Sequence, residues 1–177
     1  MILAARAQSR VRPYDARVET AMPQNVNVFI RSATLDDAAA IAELSGQLGY
    51  PASSREIEER LAKICGHPQH GIFVAESIPE HSHVGGAAKV IGWLHVCERP
   101  LVEADLRAEV NGLVVGEGFR RTGAGRLLMQ RAEQWAREHA CRAVMLRSNV
   151  IRADAHAFYE ALGYRTTKTQ KAFLKEL

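Results

Sequence analysis

The chain has 177 residues, with 23 Lys and Arg against 20 Asp and Glu and a formal net charge of +3. Its 47% hydrophobic and 24% charged residues are ordinary for a single soluble domain with an ample core. No apolar run approaches the 18 or more residues of a membrane span, and so mild a charge suits an anionic cofactor without pointing to nucleic acid.

Residues 1 to 26 scatter Arg6, Arg10, Arg12 and Arg17 among small residues and sustain neither helical nor strand periodicity. With no long apolar stretch of a secretory signal, the segment reads as a disordered N-terminal extension or as residues added by an upstream start codon. A weakly basic contact arm is the third reading. The organised domain is expected over 27–177. Cys65, Cys97 and Cys141 are odd in number, widely spaced and without CxxC pairing, so neither a disulfide framework nor a zinc site is indicated. Reduced thiols and a cytoplasmic location follow.

Val26 to Ile30 predicts a first strand. Thr34 with Asp37 forms a capping-box pattern, followed by a helical stripe of Ala38, Ile41, Leu44 and Leu48. Gly49-Tyr50-Pro51 breaks that helix. Ser53 and Glu56 open a second, with Ile57, Leu61 and Ile64 on one face. Ile72 to Ala75 is a buried strand, and Ser77 to Ala88 a long polar connection to a strand over Val90 to Val96. Glu109 to Val115 forms the next strand, and Gly112 inside it marks a bulge or a close backbone approach. A helix follows with Ala124, Leu127, Leu128, Ala132 and Trp135 inward and Glu133 paired to Arg137 outside. Ala143 to Leu146 is a further strand, Ala155 to Leu162 a short helix ended by Gly163, and Tyr164 to Leu174 carries one or two terminal strands.

The most informative stretch joins the strand at Val115 to the helix at Ala124, through Arg120-Arg121-Thr122-Gly123-Ala124-Gly125-Arg126. Glycines let the backbone curl and expose its N–H groups. The first N–H groups of a helix have no partner within it, and its dipole is positive at that end. Such a turn cradles a phosphate or diphosphate, and three arginines add positive charge around it. No Lys follows the glycines as a Walker loop needs. Only about 50 residues remain after the loop, too few to complete a doubly wound dinucleotide sheet.

This loop resembles the Arg/Gln-x-x-Gly-x-Gly/Ala signature of the GNAT N-acetyltransferase superfamily. The run from Asn149 through Ala155, Phe158 and Tyr159 to Tyr164 is similar to its closing motif, and the terminal run to Phe173 to members of an aminoglycoside-acetyltransferase-like branch. The resemblance implies an α/β (α+β) fold with a mixed, twisted sheet of six to seven strands flanked by about four helices. It implies acetyl-CoA as co-substrate, with no metal, held by Leu113, Val114 and Val115 on the central strand and by the loop from Arg120 to Arg126. Asn149, Ala155, Phe158 and Tyr159 complete the cofactor set by position, with Ser148 a weaker candidate. Tyr159 takes the place of the tyrosine that faces the thiolate; a tyrosine is protonated at neutral pH and can serve as the acid. A backbone N–H at Leu113 or Val114 is the candidate to polarise the carbonyl.

The base stays open between Glu109, His95 and a water relay. Tyr50 and Trp93 are expected as walls of the acceptor pocket, and Glu43, Glu56, Glu58, Glu59 and Glu103 as candidates for an acidic cleft that would suit a polycation. His67-x-x-His70 and His81-x-His83 read as solvated loop histidines, lacking ligand partners at metal spacing. The expected partner is an amine-bearing acceptor, small molecule or protein, with no nucleic acid and no membrane; a homodimer is compatible. The rival reading is a noncatalytic acyl-CoA-binding regulatory module.

Overall fold

A computed structural model describes residues 26–79 and 88–177. One sheet carries β1 (Val26–Ser32), β2 (His70–Pro79), β3 (Lys89–Arg99), β4 (Arg107–Val115) and β5 (Ala143–Leu146), side by side in chain order. The first four run antiparallel, and β5 joins β4 in parallel. A parallel neighbour needs a crossover, which the helix α3 (Ala124–Glu138) supplies. The helices α1 (Ala38–Leu48) and α2 (Ser54–Ile64) separate β1 from β2, and α4 (Ala153–Ala161) follows β5.

Alternation along the strands divides the core between the two faces of the sheet. Ile72 and Val74 point to α1 and α2, where Ile41, Ala42, Ile57 and Leu61 are buried. Phe73 and Ala75 point to α3, with Leu128, Met129, Ala132 and Trp135. The helix boundaries follow from their caps. The Thr34 N–H donates to Asp37 Oδ2 at 2.8 Å ahead of a 3-10 turn over Leu35–Asp37, and Ser53 exchanges bonds with Glu56 at 2.8 and 3.2 Å. Gly49, at φ 98°, ends α1 in the left-handed region. Asp37, only 5% exposed, receives the Arg31 guanidinium at 2.7 and 2.8 Å, and Arg31 also reaches Glu76. This network ties β1 and β2 to the start of α1.

Two features of β4 position the site. His95 faces Gly112 while Val96 faces Val110, so Asn111 is an extra residue and a bulge. The bulge shifts the alternation: Ala108 and Val110 before it, and Leu113 and Val115 after it, all pack on the α3 core. Second, β5 pairs with β4 only over Arg107–Val110, and β4 continues to Val115 without it.

The expected six to seven strands are corrected to five among the described residues. The terminal strands do not form: residues 165–177 have no regular structure and lie exposed, Phe173 and Leu174 at 91% and 90%. The run from Arg165 to Lys171 has no apolar residue on either parity, so neither face of a strand there could be buried. The strand expected over Ile72 to Ala75 extends to Pro79, because buried Ser77 pairs with both Val28 and Lys89. The expected N-terminal extension, except Val26, and the pair His81 and His83 lie outside the described residues. Among those residues no helix is long and apolar enough to cross a membrane.

Candidate active site

The turn after β4 is a 3-10 segment at Glu117–Phe119 followed by residues 120–123, and α3 starts at Ala124. Thr122 Oγ1 donates to the Phe119 carbonyl at 2.7 Å and closes the turn. Arg121 and Gly123 both adopt positive φ, 64° and 89°. For Arg121 this is a sparsely populated conformation, found where surrounding structure holds the chain in place. Among the described residues, none of the N–H groups from Arg121 to Arg126 has a hydrogen-bond partner; the first bond into the helix is Leu127 N to the Gly123 carbonyl, 3.0 Å. A Cβ on Gly123 would meet open space. Unpaired N–H groups, the positive end of a 15-residue helix and the exposed Arg120, Arg121 and Arg126 therefore share one short open turn. The loop fits the diphosphate of a coenzyme.

Helix α4 abuts this loop. A Cβ on Gly125 would stand 3.3 Å from Phe158 Cζ and 3.7 Å from Val115 Cγ2, so this glycine lets α3, α4 and β4 meet. Gly163, at φ 89°, ends α4, and the Tyr164 hydroxyl donates to Glu133 Oε1 at 3.0 Å, clamping α4 to α3. Tyr159 is half-buried on that core; burial pushes its hydroxyl above the usual tyrosine range, against the opposing pull of Arg152. Asn149 is exposed at the turn into α4. Its Oδ1 accepts from the Ile151 N–H at 3.2 Å and its carbonyl from the Arg152 N–H at 3.0 Å. Ala155 is half-buried on α4.

A cavity of about 310 Å³ opens on the other face of the sheet. From α1 and α2 it receives Ile41, Leu48, Ile57, Leu61 and Ile64, together with Ser45 and Arg60. The strands contribute Ile72, Trp93, His95, Asn111 and Gly112, and Tyr50, 71% exposed, stands at its mouth. Gly112 is required by close packing, since a Cβ there would fall 2.6 Å from Trp93 Cη2. The Trp93 Nε1 is buried without a hydrogen-bond partner among the described residues, so ring contacts hold the indole. At the bulge, Asn111 Nδ2 donates to the Cys97 sulfur at 3.1 Å. His95 Nε2 lies 2.9 Å from His70 Nδ1, and the His70 ring in turn meets His67 edge-on, centroids 5.2 Å apart. Burial pushes His95 down to about 4, with His70 adding to the effect.

Tyr50 and Trp93, expected as acceptor walls, line this cavity. Glu109 does not. It is buried between β4 and β5, and its two carboxylate oxygens are taken by Arg99 and Arg147, the latter also through Nε at 2.8 Å. None of the five glutamates expected to form an acidic cleft lines the cavity: Glu56 caps α2, Glu59 pairs with Arg55, and Glu43 lines a separate hollow beside Lys89. His70 corrects the reading of a solvated loop residue, because it is the first residue of β2 and contacts His95. Arg60 escaped the sequence reading; its only signal was its place on the same turn of α2 as Ile57 and Leu61.

A sheet that parts beside a glycine-rich anion cradle, with a separate cavity reached from the same strand, is the architecture of a two-substrate transferase. The model of the acetyltransferase (GNAT) family matches residues 38–164, and the chain belongs to that family. It is 27% identical over 151 residues to aminoglycoside N(6')-acetyltransferase type 1 of Stenotrophomonas maltophilia, covering 78% of this chain and 87% of that protein. Among solved structures, the fold is shared with aminoglycoside N-acetyltransferase AAC(6')-Iy in complex with CoA, at TM-score 0.72 and 18% identity over 88% of this chain and 99% of that one. It is also shared with glucosamine-6-phosphate N-acetyltransferase from Arabidopsis thaliana, at TM-score 0.68 and 21% identity over 85% and 99%.

Proposed function

We propose that the protein is an acetyl-CoA-dependent N-acetyltransferase that acts on the primary amine of a small molecule by direct attack in a ternary complex. One observation carries this reading: β4 reaches the acceptor cavity at its bulge, through Asn111 and Gly112, ends three residues later at Val115, and leads through one 3-10 turn into the anion cradle. At about 3.3 Å per residue, the strand from Gly112 to its end at Val115 spans roughly 10 Å.

When bound, the coenzyme supplies an acetyl group activated as a thioester. The N–H groups from Arg121 to Arg126, with the guanidinium groups of Arg120, Arg121 and Arg126, bind its diphosphate. A β4 N–H past the bulge, at Leu113 or Val114, polarises the acetyl carbonyl. Phe158 and Ala155 line the coenzyme's arm from α4, and Asn149 bonds it at the parting of β4 and β5. Tyr159 holds the proton that the departing sulfur requires, and its burial keeps that proton in place at neutral pH. For the amine we assign His95, a neutral imidazole in the cavity wall, as acceptor of the leaving proton. It passes a proton on to His70 across their 2.9 Å contact. Glu109 is the poorer candidate, since both its oxygens already carry guanidinium partners.

Replacing Tyr159 by Phe tests the reading. We expect turnover with an accepted amine to fall by about 10²-fold while acetyl-CoA affinity stays within about twofold, the usual scale for loss of a general acid. Tight CoA binding, with thiol release unaffected by Tyr159→Phe for every amine tried, would favour the noncatalytic acyl-CoA-binding module.

A further inference from the structure

We infer that the acceptor is a compact amine with an apolar body and a carboxylate, and not a polycationic sugar; the inference rests on the transferase reading above. Among the described residues, the cavity wall holds no Asp or Glu. Apart from His95, which burial keeps neutral, the cationic side chain of this described wall is Arg60. An acceptor with several ammonium groups would bring each of them into an apolar wall with no carboxylate to receive it, and toward a like charge at Arg60.

Shape and composition point the same way. Ile41, Ile57, Leu61, Ile72 and Trp93 offer aliphatic and aromatic surface that matches a branched or aromatic side chain. A volume of about 310 Å³ sits at the small end of the range for ligand pockets. Glu56 Oε1 lies 3.9 Å from the guanidinium, a loose and exposed pair, while its Oε2 is held by the Ser53 N–H and hydroxyl at 2.8 and 2.7 Å. Arg60 is 60% exposed, so its donors are free to turn toward a carboxylate at the cavity rim. The amine of such a molecule would then lie inward, toward His95 and the β4 bulge.

A matched pair of amines tests this on the full chain. L-Phenylalanine and phenethylamine share one skeleton and differ in the carboxylate; kanamycin serves as the polycation. Two readouts are taken with wild type and Arg60→Gln: KM and kcat for each amine with acetyl-CoA, and calorimetric binding of each amine to the CoA-loaded protein. We expect phenylalanine to bind about fivefold more tightly than phenethylamine, the modest gain of a rim ion pair, and Arg60→Gln to erase the difference. Kanamycin should show a kcat/KM at least tenfold below phenethylamine. Equal binding of phenylalanine and phenethylamine in wild type, or a tenfold preference for kanamycin, overturns the acceptor class and leaves the transferase reading standing. Failure of the protein to bind CoA at all overturns both.

Discussion

The cradle and the cavity are built on opposite principles. The cradle is a run of seven consecutive residues that offers unpaired backbone N–H groups, with its arginines turned to water, Thr122 closing the turn and Ala124 buried against the core. The cavity gathers side chains from α1, α2, β2, β3 and β4, spread from residue 41 to residue 112, and its backbone contributes only the opening at Gly112. A backbone site tolerates little change in conformation but much in chemistry; a side-chain site is the reverse. The same fold can therefore keep one coenzyme while its acceptor changes with a few side chains of α1, α2 and β3.

The largest effect is expected where conformation is least negotiable. Gly123 sits at φ 89°, and its missing Cβ faces the open side of the cradle. In Gly123→Val a β-branched residue would be forced either to accept left-handed strain or to flip the turn, and its methyl groups would screen several N–H groups. We expect CoA affinity to fall by about 10²-fold, the loss of one or two charge-assisted bonds, measured by calorimetry. Trp93→Ala, which opens the cavity wall, should leave that affinity alone. If Gly123→Val bound CoA as tightly as Trp93→Ala does, the loop would not be where the diphosphate is held.

Glu109 lies on the boundary, inside the sheet where β4 and β5 still pair. Its carboxylate joins Arg99 of β3 to Arg147 just past β5, across the strands that part beyond it. A fully buried ion pair broken at one partner costs about 3–5 kcal/mol, but Arg147 is 67% exposed and Arg99 35%, and both can turn to water. Glu109→Gln should therefore cost about 2 kcal/mol in urea unfolding, with kcat reduced no more than a few-fold. A large drop in kcat at unchanged stability would return Glu109 to the role of base.

The same contrast explains what could be read from residues alone. The strand–loop–helix turn was legible because its code is local: glycines at fixed spacing between a strand and a helix. Gly112 was legible as the mark of a bulge or close approach for a similar reason, a glycine inside an apolar strand; the extra residue itself is its neighbour Asn111. The caps at Thr34 and Ser53 are four-residue patterns, and they located the starts of both helices. The cavity was legible only at single points, Tyr50 and Trp93. Ile57 and Leu61 read as core, which they are, and nothing in a helical stripe tells that part of its face borders a void. The pairing of His70 with His95 depends on the register of β2 against β3, set by contacts 25 residues apart. The terminal strands failed for the converse reason: a strand needs a side to bury, and the Lys- and Thr-rich tail has none.

The smallest expected effect probes charge, where the two regions differ again. The cradle's arginines are charged at every accessible pH, whereas His95 is held neutral by burial, its value pushed down to about 4 from an ordinary 6.5. For a base, a folded-state value below the unfolded one means that the unfolded chain binds more protons between those limits. Stability must then rise with pH from about 4 to 6.5 and be insensitive to this group above that window. Asp37 acts in a different window. Burial works to raise its value, but the Arg31 guanidinium and the Thr34 N–H outweigh it and hold the carboxyl low, so its stabilisation is full above the ordinary carboxylate range and is lost only below it. Urea midpoints measured between pH 7 and 4.5 should therefore fall on acidification in the wild type and fall less in His95→Gln. Below pH 4 the two proteins should lose stability in parallel through Asp37. An unchanged slope in His95→Gln between pH 6.5 and 4.5 would mean that the imidazole ionises freely in place and that burial does not hold it neutral through that range.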